Sequence, residues 1–251
     1  MKLQVSSILI AFFLSLTSYA QVPAKEETGF VYKYEVIGGL NLHTGGWGGY
    51  LRYATHKTYL TRINFELGYV SQRHPKQNRV FNPFYEEAKG YHYGKLNAFG
   101  ILRPMVGIRR TLFEKLRERG VDISLDLNVG PSLGLLKPVF LEIGYVNSGG
   151  GGIGYDFISV EQYDPESHTQ DNIYGRAPWS KGLELLQVRP GFAFKGGFMF
   201  EYAARGEFLK AIELGMTGDY YFTEVPLMAN TDNTALFLNL YVNISFGQKF
   251  F

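Results

Sequence analysis

The sequence predicts an all-β protein, an antiparallel up-and-down transmembrane β-barrel of about eight strands with long extracellular loops. Three observations support this prediction: an export signal at the amino terminus, long stretches in which apolar and polar residues alternate, and an aromatic strand at the carboxyl terminus. Successive side chains of an extended chain point to opposite faces. Sustained alternation therefore indicates a strand with one apolar and one polar face.

The amino terminus has the layout of a cleavable signal peptide. Lys2 precedes a short apolar run, and a small-residue motif ends at Ala20, before Gln21. The apolar run is shorter than the roughly 20 residues that a membrane-spanning helix needs. We therefore expect a signal peptide over 1–20 and one outer-membrane β-barrel domain over 21–251, located in the bacterial outer membrane after cleavage.

The composition fits an exported β protein. The chain has 20 Phe, 18 Tyr and 30 Gly, and only 19% of its residues are charged. Aromatic residues are favoured in strands and at membrane interfaces. No cysteine occurs, which excludes disulfides, thiol catalysis and thiolate metal sites. The formal net charge of +2, without a basic run, gives no reason to expect a nucleic-acid partner.

Eight alternating stretches are candidate strands. The clearest internal one runs from Val121 to Leu136, well beyond the five or six residues that are usual for a strand in soluble proteins. Such length favours a strand that crosses a bilayer at a tilt. The candidates cover 30–43, 47–55, 58–70, 94–110, 121–136, 186–202, 208–222 and 236–251.

The two faces of these strands predict which side faces the lipid. A soluble ligand-binding barrel would hold large apolar residues inside. Here the polar face combines small residues with charges of both signs, which suits the narrow interior of an eight-stranded barrel, while the bulky apolar residues would face lipid. Opposite charges can neutralise one another there, so we expect a plugged ionic core. The predicted lumen charge network consists of Glu35, Arg52, Arg62, Glu66, Arg103, Arg109, Asp122, Asp126, Arg189, Lys195, Glu201, Glu213 and Asp219.

The connections between these strands sort by length. Outer-membrane barrels have long external loops and short periplasmic turns. With the amino terminus in the periplasm, the odd-numbered connections are external, and all but the first are long. An even strand count returns the carboxyl terminus to the periplasm. The predicted long external loops include 72–93 and 145–184.

The carboxyl-terminal strand carries a resemblance to a known class. With its signal sequence and aromatic last strand, the chain resembles the small outer-membrane β-barrel proteins of the OmpA and OmpX size class. The matching register counts back from Phe250 through Phe246, and Phe251 lies one residue beyond it. The resemblance implies that these three residues form an assembly signal for the barrel assembly machinery. Segments such as "HPKQNRVFNP" and "DNIYGRAPWSKG" are similar to uncharacterised Bacteroidota outer-membrane β-barrel proteins, which have no assigned reaction.

The sequence predicts no catalytic, cofactor or metal site. Asp164, Glu166 and Asp171 lack the alternating acids of a calcium loop. The glycine run from Gly149 lacks the Gly-Lys-Ser/Thr ending of a phosphate loop. No histidine stands in a motif that resembles the His/Ser pair of lipid A deacylases, although such a pair needs only to be adjacent in space. The histidines are His43, His56, His74, His92 and His168.

The longest loop holds the candidate partner-binding residues Tyr174, Arg176, Pro178 and Trp179. Trp, Tyr and Arg are the residue types that most often anchor protein interfaces. An aromatic belt, or a loop folded over the barrel mouth, would use the same residue types. The basic residues near Arg73 could similarly meet lipid phosphates or be solvated.

We therefore predict a non-enzymatic outer-membrane barrel, a structural or accessory subunit that docks to another envelope component through its external loops. Its expected partners are outer-membrane lipid, the barrel assembly machinery and a protein of the envelope. A small-solute pore or transporter is the first alternative, and it requires lumen charges that line water. A lipid A-modifying outer-membrane enzyme is the second alternative.

Overall fold

The computed structural model describes residues 32–83, 88–114, 120–146, 155–202 and 207–251. The predicted signal peptide and its cleavage site lie outside the described residues. No helix in the described ranges is long and apolar enough to span a membrane. The strands are β1 Tyr34–His43, β2 Gly46–His56, β3 Thr61–Gln72, β4 Arg79–Val80, β5 Tyr91–His92, β6 Asn97–Phe113, β7 Asp122–Pro138, β8 Phe140–Tyr145, β9 Phe157–Gln162, β10 Ile173–Arg176, β11 Gln187–Glu201, β12 Phe208–Val225 and β13 Thr234–Phe250, with a 3-10 helix at Leu183–Leu185.

Eight of these strands close into one antiparallel barrel, which confirms the predicted fold class. Around the wall the order is β1, β2, β3, β6, β7, β11, β12 and β13, and β13 pairs with β1. The closing pair runs from Tyr34 opposite Phe250 to His43 opposite Tyr241. We call the end that holds Tyr34 and Phe250 the terminal end, and the opposite end the loop end.

The alternation read from the sequence corresponds to the two faces of the wall. In β13, Asn239, Tyr241 and Asn243 are buried in the lumen, while Leu238 and Leu240 are exposed outside. In β6, however, apolar residues enter the lumen beside its arginines. Their mixture with charges explains why the sequence pattern of this strand is weak. The apolar lumen residues of β6 are Phe99, Ile101 and Met105.

The two longest predicted loops contain strands of their own. β4 pairs with β5, and β8 forms a three-stranded sheet between β10 and β9. β8 begins just after β7, with only Val139 between them. Side chains from β5, β8 and β10 pack around a small buried cluster that includes Tyr91, Leu141 and Ile173. The sequence reading missed these strands because each has only two to six residues, too few to establish a period.

Two apolar layers lie in the lumen. At the loop end one layer includes Phe99, Leu136 and Phe237, together with Met228 from the connection between β12 and β13. A second layer includes Ile37 and Met199, which are paired in the strand register with Arg52 and Glu213. The lumen is therefore filled by apolar packing as well as by ion pairs.

Two paired glycines make room for one large lumen side chain. Gly197 and Gly215 are opposite each other in β11 and β12. A Cβ on Gly215 would lie 2.1 Å from the carbonyl oxygen of Gly196 and 2.8 Å from the Tyr241 hydroxyl. Backbone atoms cannot move aside as a flexible side chain can. A side chain added at Gly215 would therefore create strain that the structure cannot easily relax.

We expect Gly215→Ala to lower the free energy of unfolding by about 1–3 kcal/mol, because the new methyl group displaces backbone and Tyr241. Urea unfolding of the barrel in lipid vesicles measures this change. Gly38→Ala is the matched control, since its Cβ would make only ordinary contacts, with a Leu51 methyl at 3.4 Å and the Tyr50 carbonyl oxygen at 4.0 Å. Equal effects of the two substitutions would contradict the packing role of Gly215.

Candidate functional site

The centre of the lumen is built around Arg52 of β2. Its guanidinium forms salt bridges with Glu66 at 2.5 Å, Asp126 at 2.7 Å and Glu213 at 3.0 Å. Lys195 of β11 lies 2.7 Å from Glu66 and 3.5 Å from Glu213. Side chains of five strands therefore meet at one ionic centre.

Arg109 of β6 extends this centre toward the terminal end. It lies 2.5 Å from Glu35 and 3.4 Å from Asp126, and Arg62 lies 3.8 Å from the second oxygen of Glu35. The connected network thus has four carboxylates, Glu35, Glu66, Asp126 and Glu213, and four cations, Arg52, Arg62, Arg109 and Lys195. With four charges of each sign, its formal charge is zero.

Two further ion pairs lie apart from this network. Arg103 donates two hydrogen bonds to Asp219, at 2.8 and 2.6 Å, and Ser132 donates a third at 2.9 Å. At the terminal end Lys249, which the sequence reading did not include, lies 2.5 Å from Glu201. Bidentate contacts between arginine and carboxylate are among the strongest charge-assisted hydrogen bonds. Arg103, Asp219 and Glu201 of the predicted set thus pair apart from the connected network.

Two further residues of the predicted set lie near strand ends. Arg189 is at the loop end of β11, is only partly buried, and makes a long 3.4 Å hydrogen bond to Thr223. Asp122 begins β7 at the terminal end, opposite Glu201 in the strand register, and is also only partly buried. At these strand ends the alternation still assigns both side chains to the inner face, but the lumen opens and no longer encloses them fully.

Uncharged side chains complete the network, and the sequence reading missed them. The Tyr241 hydroxyl donates a hydrogen bond to Glu213. Asn64 and Asn128 donate to the same oxygen of Asp126 at 2.8 and 2.7 Å. The Lys195 ammonium lies 4.8 Å from the centroid of the Tyr50 ring, a cation–π distance. Their inward position in each strand was the only sequence signal for these roles.

The histidines are dispersed, and the side chains of four of them have a local hydrogen bond. The Nδ1 atoms of His43, His74 and His168 accept hydrogen bonds from nearby backbone amides, of Gly45, Lys76 and Asp164 respectively. Arg62 donates to Nε2 of His56. Among the described residues, no cluster of three or more His, Cys, Asp and Glu side chains could hold a metal ion.

The candidate partner-binding residues lie along β10 and the turn that follows it. Tyr174 is half-buried, with its ring centroid 6.4 Å from that of Tyr155. Arg176 and Pro178 are exposed. The side chain of Trp179 is 75% exposed, with the Lys137 ammonium 5.9 Å from its ring centroid. Three of the four predicted residues are therefore accessible at the loop end.

A group of cations lies near this turn. Burial, together with the nearby charges of Arg73 and Lys137, lowers the pKa of Lys95, between β5 and β6, from 10.5 to about 8. Burial also lowers the pKa of His92, again with Lys95 and Arg73 among the contributing charges. These cations therefore act on one another electrostatically at the loop end.

The carboxyl-terminal aromatics face outward at the closing seam. Phe246 is exposed on the outer wall, and Phe250 stacks on Tyr34 of β1 with centroids 5.0 Å apart. Phe251 follows β13 and lies 4.8 Å from the Tyr32 ring. Their recognition by an assembly machinery stays a prediction.

We expect Arg52→Met to lower the free energy of unfolding by about 3–5 kcal/mol, because it leaves three buried carboxylates short of a cation. Adding Glu213→Gln should recover part of this loss, since it removes one uncompensated charge. Urea titration in vesicles measures both variants, with Arg110→Met on the outer wall as the control. A loss below about 1 kcal/mol would rule out a central role for Arg52.

No protein-family model and no curated protein matches the chain. Among solved structures, the chain is similar to Ail, the attachment invasion locus protein of Yersinia pestis, in complex with the heparin analogue sucrose octasulfate (9% identity, 88% of this chain and 100% of that chain covered, TM-score 0.41). It is also similar to Neisserial surface protein A (8% identity, 86% and 96% covered, TM-score 0.41). A third similar structure is a major outer membrane protein from Thermus thermophilus (11% identity, 88% and 100% covered, TM-score 0.44). The resemblance to Bacteroidota barrels stays a prediction.

Proposed function

We propose that the protein is a bacterial outer-membrane barrel with a closed lumen, an accessory subunit that docks to another envelope component through its loop end. The observation that carries the docking proposal is the exposed Trp179 on an ordered turn at that end. The membrane location, the orientation, the closed lumen and the docking surface each have separate support in the structure.

The outer wall supports the membrane location. Every strand of the barrel exposes large apolar residues on its outer face, and a soluble monomer rarely exposes a contiguous apolar surface of this extent. A barrel in a membrane, by contrast, needs an apolar outer band, because its outer face contacts lipid chains. Examples from all eight strands are Leu40, Leu51, Phe65, Val106, Val129, Phe194, Leu214 and Leu240.

The connections support the orientation. Short connections join β2 to β3, β6 to β7 and β11 to β12 at the terminal end, whereas long ones join β3 to β6 and β7 to β11 at the loop end. Outer-membrane barrels carry their long loops outside the cell. The loop end would then face the exterior and the terminal end the periplasm.

The filled lumen favours an accessory role over a pore. Arg52, Glu66 and Glu213 meet across the barrel, and the apolar layer with Phe99 and Phe237 covers them toward the loop end. A barrel of about eight strands has room for little beyond side chains. Charges that pair with one another do not line a water column.

Trp179 supports docking because of its exposure and its setting. Its side chain is 75% exposed, next to the exposed residues Arg176 and Pro178. Trp and Arg are enriched among the residues that contribute most to binding energy at interfaces. An exposed Trp beside an exposed Arg therefore offers a partner both an apolar anchor and a charge.

Backbone hydrogen bonds hold this surface in place before any partner binds. The Arg176 amide donates to Lys89 at 3.2 Å, and the Ala177 amide donates to Phe140 at 3.3 Å. Gly175 packs against Lys89 so closely that a Cβ would lie 2.8 Å from its carbonyl oxygen. A preformed surface binds with a smaller entropy loss than one that must order on binding.

We expect affinity purification of the tagged barrel from mildly solubilised outer membranes to recover a stoichiometric companion protein. The double variant Trp179→Ala/Arg176→Ala should lose it, because the apolar anchor and its neighbouring charge are both removed. Mass spectrometry identifies and quantifies the companion.

Phe113→Ala/Arg110→Ala is the matched control, since it removes an exposed aromatic residue and an exposed arginine at the terminal end. This variant should retain the companion. Recovery of the bare barrel from wild-type membranes, or equal loss in both variants, would remove the docking proposal.

We expect the purified protein to show no steady conductance in planar bilayers, because the ion pairs around Arg52 and the apolar layers close the lumen. Insertion is checked in parallel by protease protection of the same preparation in vesicles. Reproducible conductance steps from inserted wild-type protein would overturn the closed lumen and favour the small-solute pore.

A further inference from the structure

We propose that the outer wall at the loop end binds a phosphate-bearing lipid of the surrounding leaflet, with the phosphate held by Arg73 and Lys137 and an acyl chain in a groove on the wall. This site rests on the membrane location proposed above, and it adjoins the docking surface, since the Lys137 ammonium lies 5.9 Å from the Trp179 ring centroid. It consists of a cationic part and an apolar part.

The strand register brings the cationic part together. Ala98 of β6 is paired with Lys137 of β7, while Phe99 is paired with Gln72, the last residue of β3. Arg73 directly follows Gln72, so Arg73 and Lys137 flank the small side chain of Ala98. Gln72 and Phe99 are buried in the lumen, so their neighbours alternate to the outer face.

The cations lack acidic partners. Within the described part of the chain, Arg73, Lys95 and Lys137 form no salt bridge. The Lys137 ammonium donates to the Lys181 carbonyl at 2.9 Å, and Glu184 is the one acid that acts on its charge. Burial and the neighbouring cations both disfavour the charged form of Lys95. An anion bound between Arg73 and Lys137 would offset their effect on Lys95.

The length of β7 indicates the depth at which the cationic part lies in the membrane. β7 has 17 residues, of which Lys137 is the next to last. At a rise of about 3.4 Å per residue and a tilt of about 40°, such a strand covers roughly 44 Å of height. A bilayer with its headgroups is roughly 40–45 Å thick. Lys137 therefore lies at the level of lipid headgroups.

The apolar part is a shallow groove of about 550 Å3 on the outer face of β1, β2, β3, β6 and β13. Its floor includes Gly38 and Gly49, whose missing side chains leave the wall open. Bulky apolar side chains rise around this floor. The outward-facing walls are formed by Leu40, Leu51, Leu67, Tyr69, Leu102 and Phe246.

The two parts lie along the same strands. Tyr69 precedes Arg73 by four residues at the end of β3, and Leu102 follows Ala98 by four residues in β6. A ligand that reaches both parts has a phosphate at one end and an apolar chain at the other. A free phosphate would leave the groove empty, and a soluble peptide would meet a surface that is immersed in lipid. An anionic lipid satisfies both parts.

The test measures lipid binding to the purified barrel in detergent micelles by native mass spectrometry. The probes are bisphosphorylated lipid A, the same lipid after enzymatic removal of its phosphates, and inorganic phosphate. We expect wild-type protein to bind bisphosphorylated lipid A about tenfold more tightly than the dephosphorylated form. Arg73→Gln/Lys137→Gln should abolish this difference.

Two further variants separate the parts of the site. Arg110→Gln/Lys210→Gln removes exposed, outward-facing cations near the terminal end and should leave the tenfold preference intact. Gly38→Leu fills the groove floor, where its Cβ would have a flexible Leu51 methyl as its nearest contact, and should weaken binding of both lipids equally. The folded state of each variant is checked by its heat-modifiable gel migration.

Equal binding of the two lipids to wild-type protein would overturn the proposal. The proposal would also be overturned if Arg110→Gln/Lys210→Gln lost the preference equally, because any exposed cation of the barrel would then attract the lipid phosphates. Displacement of lipid A by inorganic phosphate at equal concentration would show that the site binds a free anion and not a lipid. If the barrel does not insert into vesicles, the membrane location itself is wrong, whereas an inserted barrel without lipid preference removes only this site.

Discussion

The closure of eight strands into a narrow barrel is the constraint on which the rest of the structure depends. β13 pairs with β1 along ten residues, and this pairing leaves no open edge in the wall. The interior that results is only wide enough for side chains, so every inward position must hold a group that packs or pairs with the opposite wall. Glycines at Gly197 and Gly215 accommodate Tyr241 within that limit.

The same narrowness determines how the buried charges are used. Taking an arginine such as Arg52 out of water costs several kcal/mol, and attraction between the ions repays this only when the remaining donors and acceptors also have partners. Asn64, Asn128 and Tyr241 supply such partners to the carboxylates of the centre. An apolar filling could be as stable, but it would specify the relative positions of the strands less strongly. The ionic centre therefore bears on the register of the wall as well as on its permeability.

Much of this arrangement could be predicted from the sequence, because strand geometry assigns side chains to faces by parity alone. The odd or even position of a residue along its strand placed Arg52 and Glu66 on the same side of the wall. That position could not show which opposite charge each residue contacts across the barrel. The same alternation also placed Arg189 with the lumen residues, although this residue lies where the lumen opens. The strands β8 to β10 escaped detection, since their pairing is decided by packing around Ile143 and Tyr163 and not by a long repeat. The sequence singled out Trp179 by residue type, but its exposure depends on the tertiary fold.

The neutrality of the lumen network has a consequence for how the protein meets its surroundings. Four carboxylates and four cations cancel within the wall, so the middle of the barrel behaves as an electrically inert cylinder. Fixed charge that remains uncompensated, such as that of Arg73 and Lys95, is displaced to the rim. Lateral neighbours in the bilayer would then sense shape and apolar contact along the middle of the wall, and would meet charge only near its two ends. Recognition is in this way divided by height along the barrel axis.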